Sequence, residues 1–183
     1  MLRYKINPSL ELRLLQPPDA GELFALIDSD RARLRDWLPW VDDTTRIDHS
    51  EKFIAKALKE RVETRAFTSG IWSMGRLVGV IRHNRIDWAN RVAFPTYWLA
   101  SSEQGRGLMT QCCQTFYAHA FEQLKVHRII VAVATGNLRG QALPLRLGFK
   151  KVSTLKNAEW LHDRWVEHTI YSVLTPHAPP GAF

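Results

Sequence analysis

The feature that most constrains this chain is a β-rich run, Val92 to Leu99, followed by Glu103-Gln104-Gly105-Arg106-Gly107 and then a long helical pattern. In that pattern Leu108, Cys112, Phe116, Ala120 and Leu124 recur every four residues, with Met109, Cys113 and Phe121 beside them, as on the apolar face of a helix. A helix that starts there leaves its first amides without internal acceptors, at the positive end of the helix dipole. Gly105 and Gly107 let the backbone come close to an anion at that point. Taken alone, two glycines at a helix start serve a ligand-free turn as readily as an anion site. Spacing argues against two nucleotide-binding loops: the Gly-Lys-Ser/Thr ending of a Walker loop is absent, and Thr110 stands where a dinucleotide fingerprint needs its third glycine.

Around this loop the pattern predicts an α+β chain. Glu11 to Leu15 reads as a first strand, ended by Pro17-Pro18, and helical stretches follow over Ala20 to Ile27 and Arg31 to Leu38. Asp48-His49-Ser50-Glu51 reads as the cap of a longer helix with Phe53, Ile54, Ala57 and Leu58 on one face. Ala66 to Met74, Leu77 to Ile86 and Val92 to Leu99 then form an antiparallel meander in which Pro95, having no N–H, demands a bulge or an unpaired position. Arg128 to Ala134 reads as a mid-sheet strand buried on both faces. A helix from Asn137 to Leu147 stops at Gly148, and Phe149 to Leu155 and Trp165 to Leu174 supply two closing strands.

At 183 residues, with 45% hydrophobic and 23% charged residues, the composition excludes disorder and fibrous repeats. The prior of roughly 100–200 residues per domain predicts one domain over residues 1–174, followed by a mobile proline-rich tail over 175–183. The longest apolar run, Ile129 to Ala134, is too short to span a bilayer, and the amino terminus alternates charge, so a cytoplasmic protein with no membrane partner is expected. Cys112 and Cys113 are neighbours whose side chains point about 100° apart on a helix, which suits core packing and not a disulfide. No HExxH or paired ligand spacing occurs, so no metal is expected. The net charge of +7 favours an anionic partner; because the basic residues are scattered, nucleic acid is the weaker candidate.

The loop resembles the acetyl-CoA loop of the GNAT superfamily, and Asn137-Leu138-Arg139-Gly140 with Arg146-Leu147-Gly148-Phe149 resembles its second signature. Trp37-Leu38-Pro39-Trp40, Trp88-Ala89-Asn90-Arg91, Tyr97-Trp98-Leu99, Gly107-Leu108-Met109-Thr110 and Ala158-Glu159-Trp160-Leu161 resemble the RimJ/RimL branch, which acetylates amino termini of ribosomal proteins. The resemblance covers nearly the whole chain. It implies the GNAT fold: a mixed, strongly twisted sheet of about seven strands, splayed after the fourth, flanked by helices and holding the pantetheine arm of acetyl-CoA in the splay. By the same carry-over, the backbone of Trp98, Leu99 and Ala100 pairs with that arm, and the amides of Gln104, Gly105, Arg106, Gly107, Leu108, Met109 and Thr110 hold the pyrophosphate. Asn137 hydrogen-bonds the pantetheine, and self-association into a homodimer is a family expectation.

Acetyl transfer to an amine by direct attack needs a neutral amine, oxyanion donors and a proton acceptor, but no enzyme nucleophile. The resemblance puts the general base at Glu159, between the last two strands, against the plain alternative of a surface glutamate. Trp37 and Trp40 are the candidates for lining the acceptor groove, with tryptophan packing as the competing reading. The sequence departs from the family pattern at Ser102, Gly140, Pro144 and Phe94, which leaves no evident protein acid. The favoured acceptor is a protein amino terminus of acidic character. A small amine, or a CoA-binding module without catalysis, are the alternatives.

Overall fold

A computed structural model describes residues 3–175, so the expected tail lies outside the described residues from Pro176 onward. The first part of the chain forms β1 (Arg3–Asn7), β2 (Leu10–Arg13), α1 (Ala20–Ser29), α2 (Arg31–Arg35), α3 (Ile47–Val62) and β3 (Phe67–Ser73). It continues through β4 (Arg76–Asp87), β5 (Val92–Leu99), α4 (Leu108–Glu122) and β6 (Arg128–Ala134). The last elements are α5 (Leu138–Arg146), β7 (Lys150–Leu161) and β8 (Arg164–Leu174). The strands hydrogen-bond in the order β1-β2-β3-β4-β5-β6-β8-β7, a mostly antiparallel mixed sheet in which β5 and β6 run parallel. Eight strands therefore stand among the described residues where about seven are expected. The addition is β1, whose first three residues are exposed and carry no apolar alternation to announce it.

The described chain forms two compact units, one running to His83 together with Thr96–Cys113, the other comprising Asn84–Pro95 and the chain from Gln114 onward. In the first unit, Met74 and Gly75 both take positive φ (50° and 79°) and close the β3–β4 hairpin with Ser73 opposite Arg76. A two-residue turn of this kind matches the right-handed twist of the strands it joins. Its core gathers Leu15 from the segment after β2, Leu23 and Ile27 of α1, Ile54 of α3, and Trp72 and Val80 of the sheet. Each such side chain contributes about 1.5–3 kcal/mol by leaving water. Helix α3 starts earlier than the sequence suggests: Arg46 is its N-cap residue, and no side chain makes a capping bond. Asp48 lies instead within the first turn, where hydrogen bonds from Lys52 and Arg46 hold its carboxyl down at about 2.

Arg31 shapes the segment after α2. Its guanidinium donates to the carbonyls of Val41 and Thr44, both at 2.6 Å, and to the Asp28 carboxylate at 3.0 Å, pinning the turn that carries Trp37 and Trp40.

In the second unit β6 pairs with β8 along its full length, from Arg128 opposite Leu174 to Ala134 opposite His168. Its pairing with β5 is confined to Val92–Arg128 and Ala93–Ile129. Pro95 follows two residues later, beyond that ladder, so its missing N–H costs no bond to β6. The expectation that β6 is buried on both faces is corrected: Ile129, Val131 and Val133 are buried, whereas Ala132 is exposed, giving the alternation of a strand with one open face. Helix α5 contains Pro144 in its last turn, and the helix ends before Gly148, whose φ of 81° needs a glycine. Strand β7 lies at the sheet edge and is exposed from Lys150 to Ala158. Among the described residues no helix is long and apolar enough to cross a membrane.

One close approach supports the end of β5. A Cβ at Gly79 on β4 would stand 2.3 Å from the carbonyl oxygen of Trp98 and 3.0 Å from Cα of Leu99, both backbone atoms that cannot turn aside. Gly79→Ala is expected to destabilise the protein by about 1–3 kcal/mol, as overpacking does. Denaturant unfolding measures this, and a wild-type midpoint would show that the two strands can part without cost.

Candidate active site

The loop expected to hold an anion is tied down on every side except the one its glycines leave open. Ala100 ends β5 by donating its N–H to the Val78 carbonyl at 2.9 Å, and a single helical turn, Ser101–Glu103, follows. Asp30, between α1 and α2, accepts the Ser101 N–H at 2.9 Å and the Ser101 hydroxyl at 2.7 Å. Gln104 donates its side-chain amide to the Leu99 carbonyl at 3.0 Å, while its side-chain oxygen accepts from the Arg33 guanidinium. Glu103 is buried, and its carboxylate accepts from Arg106 at 2.5 Å. Gly105 and Gly107 then take φ of 77° and 73°, and a Cβ on either would meet nothing within 4 Å. Those angles explain why glycine is needed, and the open space leaves the backbone approachable.

Helix α4 begins at the next residue, Leu108, so the loop delivers backbone N–H groups and the positive dipole end to one place. Such a donor set suits a diphosphate. The Arg106 guanidinium donates through one nitrogen to Glu103, which fixes the side chain beside the loop. Asp30 and Arg33, which brace the loop, have no local sequence signal: their partners lie 71 positions further along the chain. Trp98 packs against the core, with its ring 6.1 Å from that of Trp40 and tilted by 50°. Trp40 is thus brought to the end of β5 and remains 37% exposed, while Trp37 is half-buried on the same turn. Leu99 and Ala100 are buried.

In the second unit Asn137 is the N-cap of α5, with its side-chain oxygen accepting the Gly140 N–H at 2.8 Å. A Cβ at position 140 would lie 2.8 Å from the Asn137 carboxamide, so the departure at Gly140 makes room for this cap. The cap uses the oxygen and does not need the Nδ2 amide. Gln141, one residue on, donates to the Thr135 carbonyl at 2.7 Å and accepts from the Tyr171 hydroxyl at 2.9 Å, fixing the helix start to β8. Pro144 is buried and carries no acid.

Glu159 is not in a connection, as its sequence position suggests, but inside β7. The β7–β8 connection is only His162-Asp163, with His162 at φ 58°. The pairing shifts between Leu155, opposite His168, and Glu159, opposite Val166, so four steps of β7 match two of β8. Asn157, in the left-handed region at φ 50°, lies in this bulge. The Glu159 side chain is 35% exposed, and its Oε2 lies 3.3 Å from Nε2 of His168, which is 17% exposed.

Both cysteines are buried, and burial pushes the Cys112 thiol up to about 12, which keeps it from acting as a nucleophile at neutral pH. Among the described residues no group of three or more His, Cys, Asp and Glu side chains is placed to hold a metal.

Residues 9–150 match the acetyltransferase (GNAT) domain. The chain belongs to the GNAT acetyltransferase family. It is an acetyl-CoA-dependent N-acetyltransferase, with the mixed sheet and flanking helices of that family. The acetyltransferase is 29% identical over 95% of its length, and 96% of the relative's, to YdaF of Bacillus subtilis (strain 168), which carries a ribosomal N-acetyltransferase name. It is 28% identical to the ribosomal-protein-serine acetyltransferase of Escherichia coli (strain K12), covering 92% of this chain and 94% of that one. Among solved structures it resembles the microcin C7 self-immunity acetyltransferase MccE in complex with acetyl-CoA and AMP. The TM-score is 0.89, with 26% identity over 93% of this chain and 95% of that one.

The cap makes a direct prediction for this acetyltransferase. Asn137→Ala should cost about 0.5–2 kcal/mol, the usual loss of an N-cap, whereas Asn137→Asp keeps an acceptor and should stay near wild type. Thermal unfolding separates the two variants; equal losses would mean that the cap does not act through its oxygen.

Proposed function

We propose that this acetyltransferase transfers acetyl to the N-terminal amino group of a ribosomal protein by direct attack, with Glu159 as general base. The observation that carries the chemistry is a half-exposed carboxylate, Glu159, set by a bulge on a sheet face beside His168. The acceptor class rests on full-length likeness to relatives named for ribosomal-protein acetylation. The net charge of +7 suits an acidic acceptor terminus.

Acetyl-CoA supplies the thioester carbonyl. In this reading the amides of Gln104 to Thr110 hold its pyrophosphate, the backbone of Trp98, Leu99 and Ala100 pairs with the pantetheine arm, and the Asn137 Nδ2 amide donates to the same arm. Trp37 and Trp40 border the acceptor. An α-ammonium loses its proton near pH of about 7.7–8.0, so Glu159 has only one easily lost proton to remove, directly or through water. The freed nitrogen forms the new C–N bond as the C–S bond breaks. The departing thiolate takes its proton from solvent, because Gly140 and Pro144 carry no acid. The enzyme works in the cytoplasm, as a homodimer in keeping with its family. The likeness to a microcin C7 self-immunity acetyltransferase favours a small amine as the second reading.

Glu159→Gln is expected to leave the KM for acetyl-CoA unchanged and to lower kcat by roughly 10²–10⁴-fold, the range of general acid–base catalysis. Steady-state thiol release from acetyl-CoA in the presence of a serine-terminated peptide measures it. Wild-type turnover would remove Glu159 from the mechanism.

A further inference from the structure

The bulge in β7 decides not only where Glu159 stands but which cation or donor stands beside it. Leu155 pairs with His168; had the ladder continued unbroken, Glu159, four residues on, would face Arg164, four residues back from His168. Guanidinium is charged at every physiological pH, and a carboxylate paired with it is held ionised and loses basicity. The extra residues put Glu159 opposite Val166 instead, making His168 its diagonal neighbour on the same face of the sheet. A guanidinium is exchanged for an imidazole, whose ring N–H can donate to a carboxylate oxygen.

His168 is well placed for that task. It is the more buried member of the pair, 17% against 35%, and Leu155 on β7 and Ala134 on β6 stand opposite it on either side. An anchored ring next to a more exposed carboxylate can orient the carboxylate without being carried along by it. The separation of 3.3 Å between Nε2 and Oε2 is within the range that tightens when substrate closes around a catalytic group.

We infer that His168 is a positioning residue for Glu159: its ring N–H holds Oε2 and leaves Oε1 to take the proton of the acceptor amine. This rests on Glu159 being the general base. His168 keeps its own hydrogen throughout, and the proton leaving the amine ends on Glu159.

The test is a double-mutant cycle on the full chain, with kcat and KM read from thiol release. His168→Ala should lower kcat about 10-fold with the KM for acetyl-CoA unchanged, in the range of coupling between touching residues. His168→Gln, which retains a donor at similar reach, should recover kcat to within about 3-fold of wild type. In the Glu159→Gln background His168→Ala should cost nothing more. His168→Leu, which fills the space without a donor, gives the same contrast with His168→Gln if the alanine variant does not fold. Wild-type kcat in His168→Ala, or the same loss in the Glu159→Gln background as in wild type, overturns the positioning role alone. Wild-type kcat in Glu159→Gln overturns the general base, and this inference with it.

Discussion

A helix that starts at Leu108 must find acceptors for backbone N–H groups that its own carbonyls cannot reach, and the chemistry assigned to this chain depends on how the chain meets that need. It places Gly105 and Gly107 in the left-handed region just before the helix and ties the rest of the loop away from the helix end. Asp30 takes Ser101, Arg33 and Leu99 take Gln104, and Glu103 takes Arg106. The side chains of Ser101, Glu103, Gln104 and Arg106 are thereby engaged within the loop and its braces. A rigid loop of this kind lowers the ordering cost of binding a diphosphate, since little has to be frozen when the ligand arrives.

The second unit uses the same economy at Asn137 and Glu159. Asn137 closes the start of α5 with its oxygen, and the glycine at 140 that looks like a departure from the family is the residue its carboxamide has room for. The shift in the β7–β8 register likewise turns an edge strand into a support for Glu159. Bulges on edge strands also discourage unwanted pairing, so β7 can stay exposed without inviting another strand. With both thiols buried, no sulfur nucleophile competes with direct transfer.

How much of this the sequence discloses depends on the range of the interaction. The glycine loop, the apolar face of α4, the helix stop at Gly148 and the bounds of β5 were legible because each is fixed by residues within a turn or two. β1 was hidden because Arg3, Tyr4 and Lys5 bury nothing, and the far end of β7 read as a connection because an exposed edge strand has no apolar alternation to show. The start of α3 was displaced because Asp48 and Ser50 look like caps although neither makes the capping bond. The pairing of Trp40 with Trp98, the bracing of Ser101 by Asp30 and of Gln104 by Arg33, and the contact of Glu159 with His168 all join residues that local pattern cannot relate.

This chain both binds acetyl-CoA and transfers its acetyl group to an amine. The most direct test of this follows thiol release and intact peptide mass together, using acetyl-CoA and matched acidic peptides whose amino termini are free or chemically blocked. Thiol should appear in step with acetylation of the free-terminus peptide, and neither product should form with the blocked one. CoA binding with no thiol released above the blank for any peptide or small amine would contradict acetyl transfer and leave a binding module in its place.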